Sequence, residues 1–137
     1  MKILATVLTA AMIFTGSLIS NEKKTITATV VNATSDSGKV SFALYNKDSF
    51  MKKPLQAKNA KIVDGKSVVV FENIEPGDYA VVCFHDKNDN DKMDFQENGM
   101  PMEDYGASNN IMSFGPPTYD NAKFTVDAES VKLEIKF

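Results

Sequence analysis

The chain has 137 residues, with 18 acidic and 15 basic side chains, a net charge of −3 and lysine as its only strongly basic residue type. That length suits one domain with its own core. An acidic balance without arginine excludes a phosphate-gripping nucleic-acid surface, and one cysteine excludes a disulfide framework or a multi-cysteine zinc site.

The first 20 residues, MKILATVLTAAMIFTGSLIS, carry the pattern of a secretory signal peptide: Lys2, an apolar stretch from Ile3 to Phe14, and small residues at Ser17 and Ser20. The apolar stretch is too short and too interrupted for a membrane span. A lipoprotein leader needs a cysteine at the cleavage point, and the only one is Cys83. Cleavage after Ser20 leaves a single domain, 21–137, whose charge is −4 because Lys2 is the one charged residue removed. The expected location is periplasmic or secreted.

The mature chain reads as short strands with period two. Ile26, Ala28 and Val30 alternate with threonines over 24–32. Val40, Phe42 and Leu44 share a face over 39–45. Val131, Leu133, Ile135 and Phe137 oppose Lys132, Glu134 and Lys136. Ala122, Phe124 and Val126 suggest another strand. The runs 68–71 and 79–84 are continuously apolar, which suits central strands buried on both faces or sheet cores.

Turn residues punctuate these runs. Asp64-Gly65 predicts a type I′ hairpin between 60–63 and 66–71. Glu75-Pro76-Gly77-Asp78 predicts a type II turn, and Ser35-Asp36-Ser37-Gly38 a third turn. Over 46–59, Ser49 is placed to cap one helical turn that Pro54 ends. About seven strands joined this way predict an all-β antiparallel sandwich. One stretch, 86–121, lacks a strand or helix pattern but contains Phe95, Tyr105, Ile111, Phe114 and Tyr119. A loop-rich insertion of this length is commonly functional or organised by something bound.

The insertion opens HDKNDNDKMDFQE. With Asp86 as position 1, oxygen-bearing side chains fall at Asp86, Asn88, Asn90 and Asp94, the Lys92 carbonyl at position 7, and Glu97 at position 12. This is the ligand schedule of a twelve-residue calcium loop, and it predicts Ca²⁺ as cofactor. Position 6, normally glycine, is Asp91, and a strand rather than a helix enters the loop. Four acids, Asp86, Asp89, Asp91 and Asp94, repel one another unless a cation intervenes.

Two other chemistries use neighbouring residues. Cys83 and His85, with Met100 and Met102, offer soft donors for copper(I). The acids also suit a calcium-dependent carbohydrate-active enzyme, although their spacing serves a cation better than an acid–base pair. Nucleophilic catalysis through Cys83 has no third group to orient a base.

The run FENIEPGDYAV, 71–81, resembles the strand–Pro-Gly–strand signature of transthyretin-like and Cna B-like repeats. Three further blocks, VSFALY (40–45), HDKNDNDKMD (85–94) and NGMPMEDYGASNN (98–110), with GPP (115–117) and DNAKF (120–124), resemble the bacterial exported family catalogued as domain of unknown function 2141. The resemblance implies an immunoglobulin-like or prealbumin-like sandwich and no assigned activity. The expectation is a non-enzymatic, calcium-stabilised module. Tyr105, Ser108, Asn109, Asn110, Phe114 and Tyr119 would present a surface to a protein, peptide or glycan. Neither nucleic acid nor a membrane span enters this reading.

Overall fold

A computed structural model describes residues 23–137; the leader expected over 1–20 lies outside them. Eight strands form two sheets packed face to face. In the smaller sheet β1 (Lys24–Val30) lies between β4 (Ser67–Ile74) and β8 (Val131–Ile135). In the larger, the order is β3 (Gln56–Lys61), β2 (Lys39–Tyr45), β5 (Gly77–Asp86) and β6 (Tyr105–Ala107). The three-residue β7 (Phe124–Val126) pairs with the start of β5, whose end pairs with β6. The expected all-β sandwich is present. It departs from a purely antiparallel design in one pair, because β8 runs parallel to β1.

Alternation builds the core. Ile26, Ala28 and Val30 from β1 meet Val40, Phe42 and Leu44 from β2, with Phe71, Val81, Cys83 and Ile135 completing a closed apolar layer. Fully burying each large aliphatic or aromatic side chain contributes about 1.5–3 kcal/mol. The side-chain amide of Asn32 extends the β1–β8 ladder by one rung: it donates to the Phe137 carbonyl at 3.1 Å and accepts from the Phe137 amide at 2.9 Å.

Asp64 and Gly65 have φ of 51° and 76°, and Val63 and Lys66 exchange backbone hydrogen bonds at 2.9 and 3.0 Å, so the type I′ hairpin is as read. The carboxylate of Asp36 fastens this tip by accepting from the Asp64 and Gly65 amides. The hairpin joins β3 and β4, which then diverge into different sheets.

Several local expectations change. Gly77 lacks the positive φ of a type II turn and is the first residue of β5, because the chain crosses here between sheets instead of reversing within one. The run 68–71 is buried on one face only: β4 is an edge strand, with Val68 51% and Val70 38% exposed. No helix forms after Ser49. Asn46 and Ser49 instead exchange side chain to backbone hydrogen bonds at 3.0 and 2.9 Å. The polar strand β3 follows, held by its ladder to β2 rather than by an apolar stripe. Within 86–121 the chain forms β6, a 3-10 turn (Ser108–Asn110) and the one-turn helix α1 (Tyr119–Ala122). Ala122 therefore ends a helix rather than opening a strand.

Candidate metal centre

The centre lies at the end of β5, where the chain leaves the larger sheet. Residues 86–104 form a closed excursion, since the His85 amide donates to the Asp104 carbonyl at 2.8 Å. Inside it, Met102 N donates to the Asp94 carbonyl and Gln96 N to the Met100 carbonyl, both at 2.8 Å, with a bridge between Phe95 and Pro101. The excursion thus contains an acidic loop followed by a narrow turn that doubles back on it.

Asp86 is fully buried, and its carboxylate accepts from the Asn90 amide at 3.2 Å and the Asp91 amide at 2.8 Å. These bonds wind the loop around position 1. Asp89 and Asp91 take the left-handed region, with φ of 56° and 64°. Asp91 therefore adopts at position 6 the backbone that glycine usually supplies, at a conformational cost of about 1–2 kcal/mol.

Three of the expected ligands meet. The Asn88 amide donates to Asp94 at 2.8 Å, and the Asn90 amide donates to both Asp94 oxygens at 3.0 Å. Those amides hold the Asp94 carboxyl below its ordinary range. The Asn90 Oδ1 accepts from the Lys92 amide at 3.0 Å. Lys92, assigned by its carbonyl, lies on the same loop. Glu97 is not drawn in: it sits exposed on the turn that Gly99 N closes onto the Gln96 carbonyl. The expected set thus divides into Asp86 as the winding post, Asn88, Asn90 and Asp94 as a converged group, and Glu97 apart.

Two residues outside the sequence-based set belong to this centre. Lys39, at the start of β2, pairs in register with Asp86. Its ammonium contacts Asp91, reaches Asp89 at 2.8 Å and lies 3.9 Å from Asp86. Hydrogen bonds to Asp89 and Asp91 raise the lysine above its ordinary range. Much of the repulsion among Asp86, Asp89 and Asp91 is therefore relieved by an internal cation. Nothing in the spacing of 86–97 reveals Lys39, because strand pairing supplies it.

The second is Glu103, which is 7% exposed and lies against Asp94. Its Oε2 is buried without a hydrogen-bond partner. Burial, and next the Asp94 carboxyl, push Glu103 up to about 7. An acid set between apolar Met100 to Met102 and Tyr105 is the only sequence signal it leaves. The carboxylates gathered here are hard oxygen donors of the kind calcium or magnesium prefers, and the Asn88 and Asn90 amides meet Asp94 through their nitrogens.

The soft donors do not gather. Cys83 is fully buried in the core, where burial pushes its thiol upward, whereas Met100 and Met102 are 58% and 62% exposed. His85 is also fully buried, its Nε2 2.7 Å from the Ser37 carbonyl and its ring stacked on Phe137.

Several residues expected at a recognition surface instead hold the insertion down. Ser108 is buried; its hydroxyl accepts from Val81 N at 3.1 Å and donates to the Ala122 carbonyl. Asn109 donates to the Asn121 and Lys123 carbonyls at 3.0 and 2.8 Å. Asn110 donates to the Glu134 carbonyl and accepts from Lys136 N, both at 2.8 Å, so one side chain pairs with the free edge of β8. Tyr119 packs edge-on against Phe50. Phe114 is fully exposed, and Tyr105 borders a groove of about 680 Å³. That groove is lined by Ala43 and Phe84 from the larger sheet and by Met93, Phe95 and Met100 from the excursion. The acidic loop and this part of the groove lining are one continuous segment.

Among the described residues no helix is long and apolar enough to cross a membrane. The family model described as an uncharacterized protein conserved in bacteria (DUF2141) matches residues 28–134. No curated protein and no solved structure gives a match.

Proposed function

This chain belongs to that uncharacterised bacterial family, and on that footing we propose that it is an exported, non-enzymatic β-sandwich module with a calcium-binding loop. The ion organises the 86–104 excursion, and the apolar groove beside it receives a protein, peptide or glycan partner. The observation that carries the reading is the convergence of Asn88, Asn90 and Asp94 around one carboxylate, on a loop wound about buried Asp86. The signal-peptide pattern of residues 1–20 supports export to a compartment where calcium is abundant.

Sites of this type bind calcium with dissociation constants of roughly micromolar to millimolar. With free ion about tenfold above the dissociation constant, linkage adds about 1.4 kcal/mol to stability. Calorimetric titration of chelator-stripped protein with calcium chloride tests the reading, together with thermal melting in the same buffers. Saturable heat and a raised Tm are expected. No heat and an unmoved Tm at millimolar calcium overturn it.

A further inference from the structure

We propose that the cation shell is closed by Glu103, arriving from the far side of the excursion, and not by Glu97 at the twelfth loop position. The inference rests on the calcium reading above and names the residue that completes that site.

Backbone pairing delivers Glu103. The neighbouring residues are fixed on both sides, Met102 by its amide on the Asp94 carbonyl and Asp104 by its carbonyl on the His85 amide, each at 2.8 Å. Residue 103 is consequently clamped between the end of β5 and the ninth position of the loop. Its side chain turns inward, 7% exposed, and meets the carboxyl of Asp94.

The chemistry of that contact asks for a cation. A buried carboxyl oxygen without a donor has lost its water and gained nothing in exchange, and Glu103 Oε2 is in that position. Of the nearby ammonium groups, Lys39 is engaged on Asp89 and Asp91 and Lys87 lies 3.7 Å from Asp104, while Lys92 acts on Asp94 only through space. A divalent ion between Asp94 and Glu103 satisfies both carboxylates, and two carboxylates supply up to four of the six to eight oxygens calcium takes. Asn88 bonds only to Asp94 through its amide nitrogen, so rotating that amide presents Oδ1 to the same point. Glu97 would have to leave its exposed turn to compete.

Calcium chloride is titrated into the stripped wild-type protein and into the Glu103→Gln and Glu97→Gln variants. Glutamine keeps the size of Glu103 and can donate to Asp94, which favours an intact fold. The expected result is a loss of about 10–100-fold in affinity for Glu103→Gln and little change for Glu97→Gln. Wild-type affinity in Glu103→Gln, or the large loss in Glu97→Gln, overturns the assignment while leaving calcium binding itself intact. A wild type that binds no calcium overturns both. Should Glu103→Gln fail to fold, carboxyl carbon-13 NMR of the wild type decides: calcium should shift the Glu103 side-chain resonance and leave Glu97 in place, and the reverse overturns the assignment.

Discussion

Gly38 and Asp86 are packed so closely that a β-carbon on the glycine would collide with the aspartate's carbonyl oxygen. Gly38 also has φ of 70°, so the turn before β2 requires glycine for two separate reasons. The contact seats the first residue of the acidic loop against the 35–38 turn, whose Ser37 carbonyl holds His85 at 2.7 Å. Gly38→Ala should destabilise the protein by about 2–4 kcal/mol, combining left-handed strain with backbone overpacking. Urea denaturation followed by circular dichroism measures it, and calcium affinity should fall with the displacement of Asp86.

Lys39 acts as a resident counter-ion for Asp86, Asp89 and Asp91. Replacing it with methionine keeps most of the stem and removes the charge. Without calcium the variant should melt below wild type, because three acids lose their shared cation. With calcium the order should narrow or reverse, since a competing positive charge has gone and the dissociation constant should drop. Melting curves in chelator and in calcium chloride separate the two effects.

Ser108 joins β5 to α1 with one hydroxyl, accepting from Val81 and donating to Ala122. Ser108→Ala leaves the Val81 amide buried without a partner, at a cost of about 1–3 kcal/mol. Hydrogen exchange should show the Val81 amide and α1 losing protection, while the β1–β8 ladder keeps it.

Glu103 predicts a pH dependence for the calcium-free protein. Its folded pKa of about 7 lies above the ordinary 4.5, so the native state holds the proton more tightly than the unfolded chain. Stability from this group is full below the unfolded value and is lost as pH rises through about 7. Asp94 has the opposite sign: its lowered folded pKa adds stability above 3.8 that is lost on further acidification. Chelator-treated protein should therefore have a higher urea midpoint near pH 5 than near pH 8, and Glu103→Gln should flatten that difference.

The strands of the core were readable because each residue's environment repeats with the backbone. Ile26 to Val30 and Val40 to Leu44 alternate in sequence as they alternate in burial. Asp64-Gly65 was readable because few dipeptides tolerate two positive φ values in succession. β3 was not, because Gln56 to Lys61 has no apolar stripe and is a strand only through its pairing with β2. Glu75 to Asp78 was misread because a Pro-Gly pair reports a change of direction without saying whether the chain stays in its sheet.

The candidate metal centre divides along the same line. Local spacing along one loop was enough to bring Asn88, Asn90 and Asp94 together and to mark Asp86 as its start. Sequence by itself thus determined the core faces of β1 and β2, the hairpin tip and the acidic loop, all governed by periodicity or by interactions within a few residues. Only the tertiary structure decided that Lys39 neutralises the loop from a neighbouring strand, and that Glu103 is buried against Asp94 while Glu97 stays exposed. Charge and coordination act through space over a few ångströms. Chain separation carries no information about that distance until strand register and loop closure have set it.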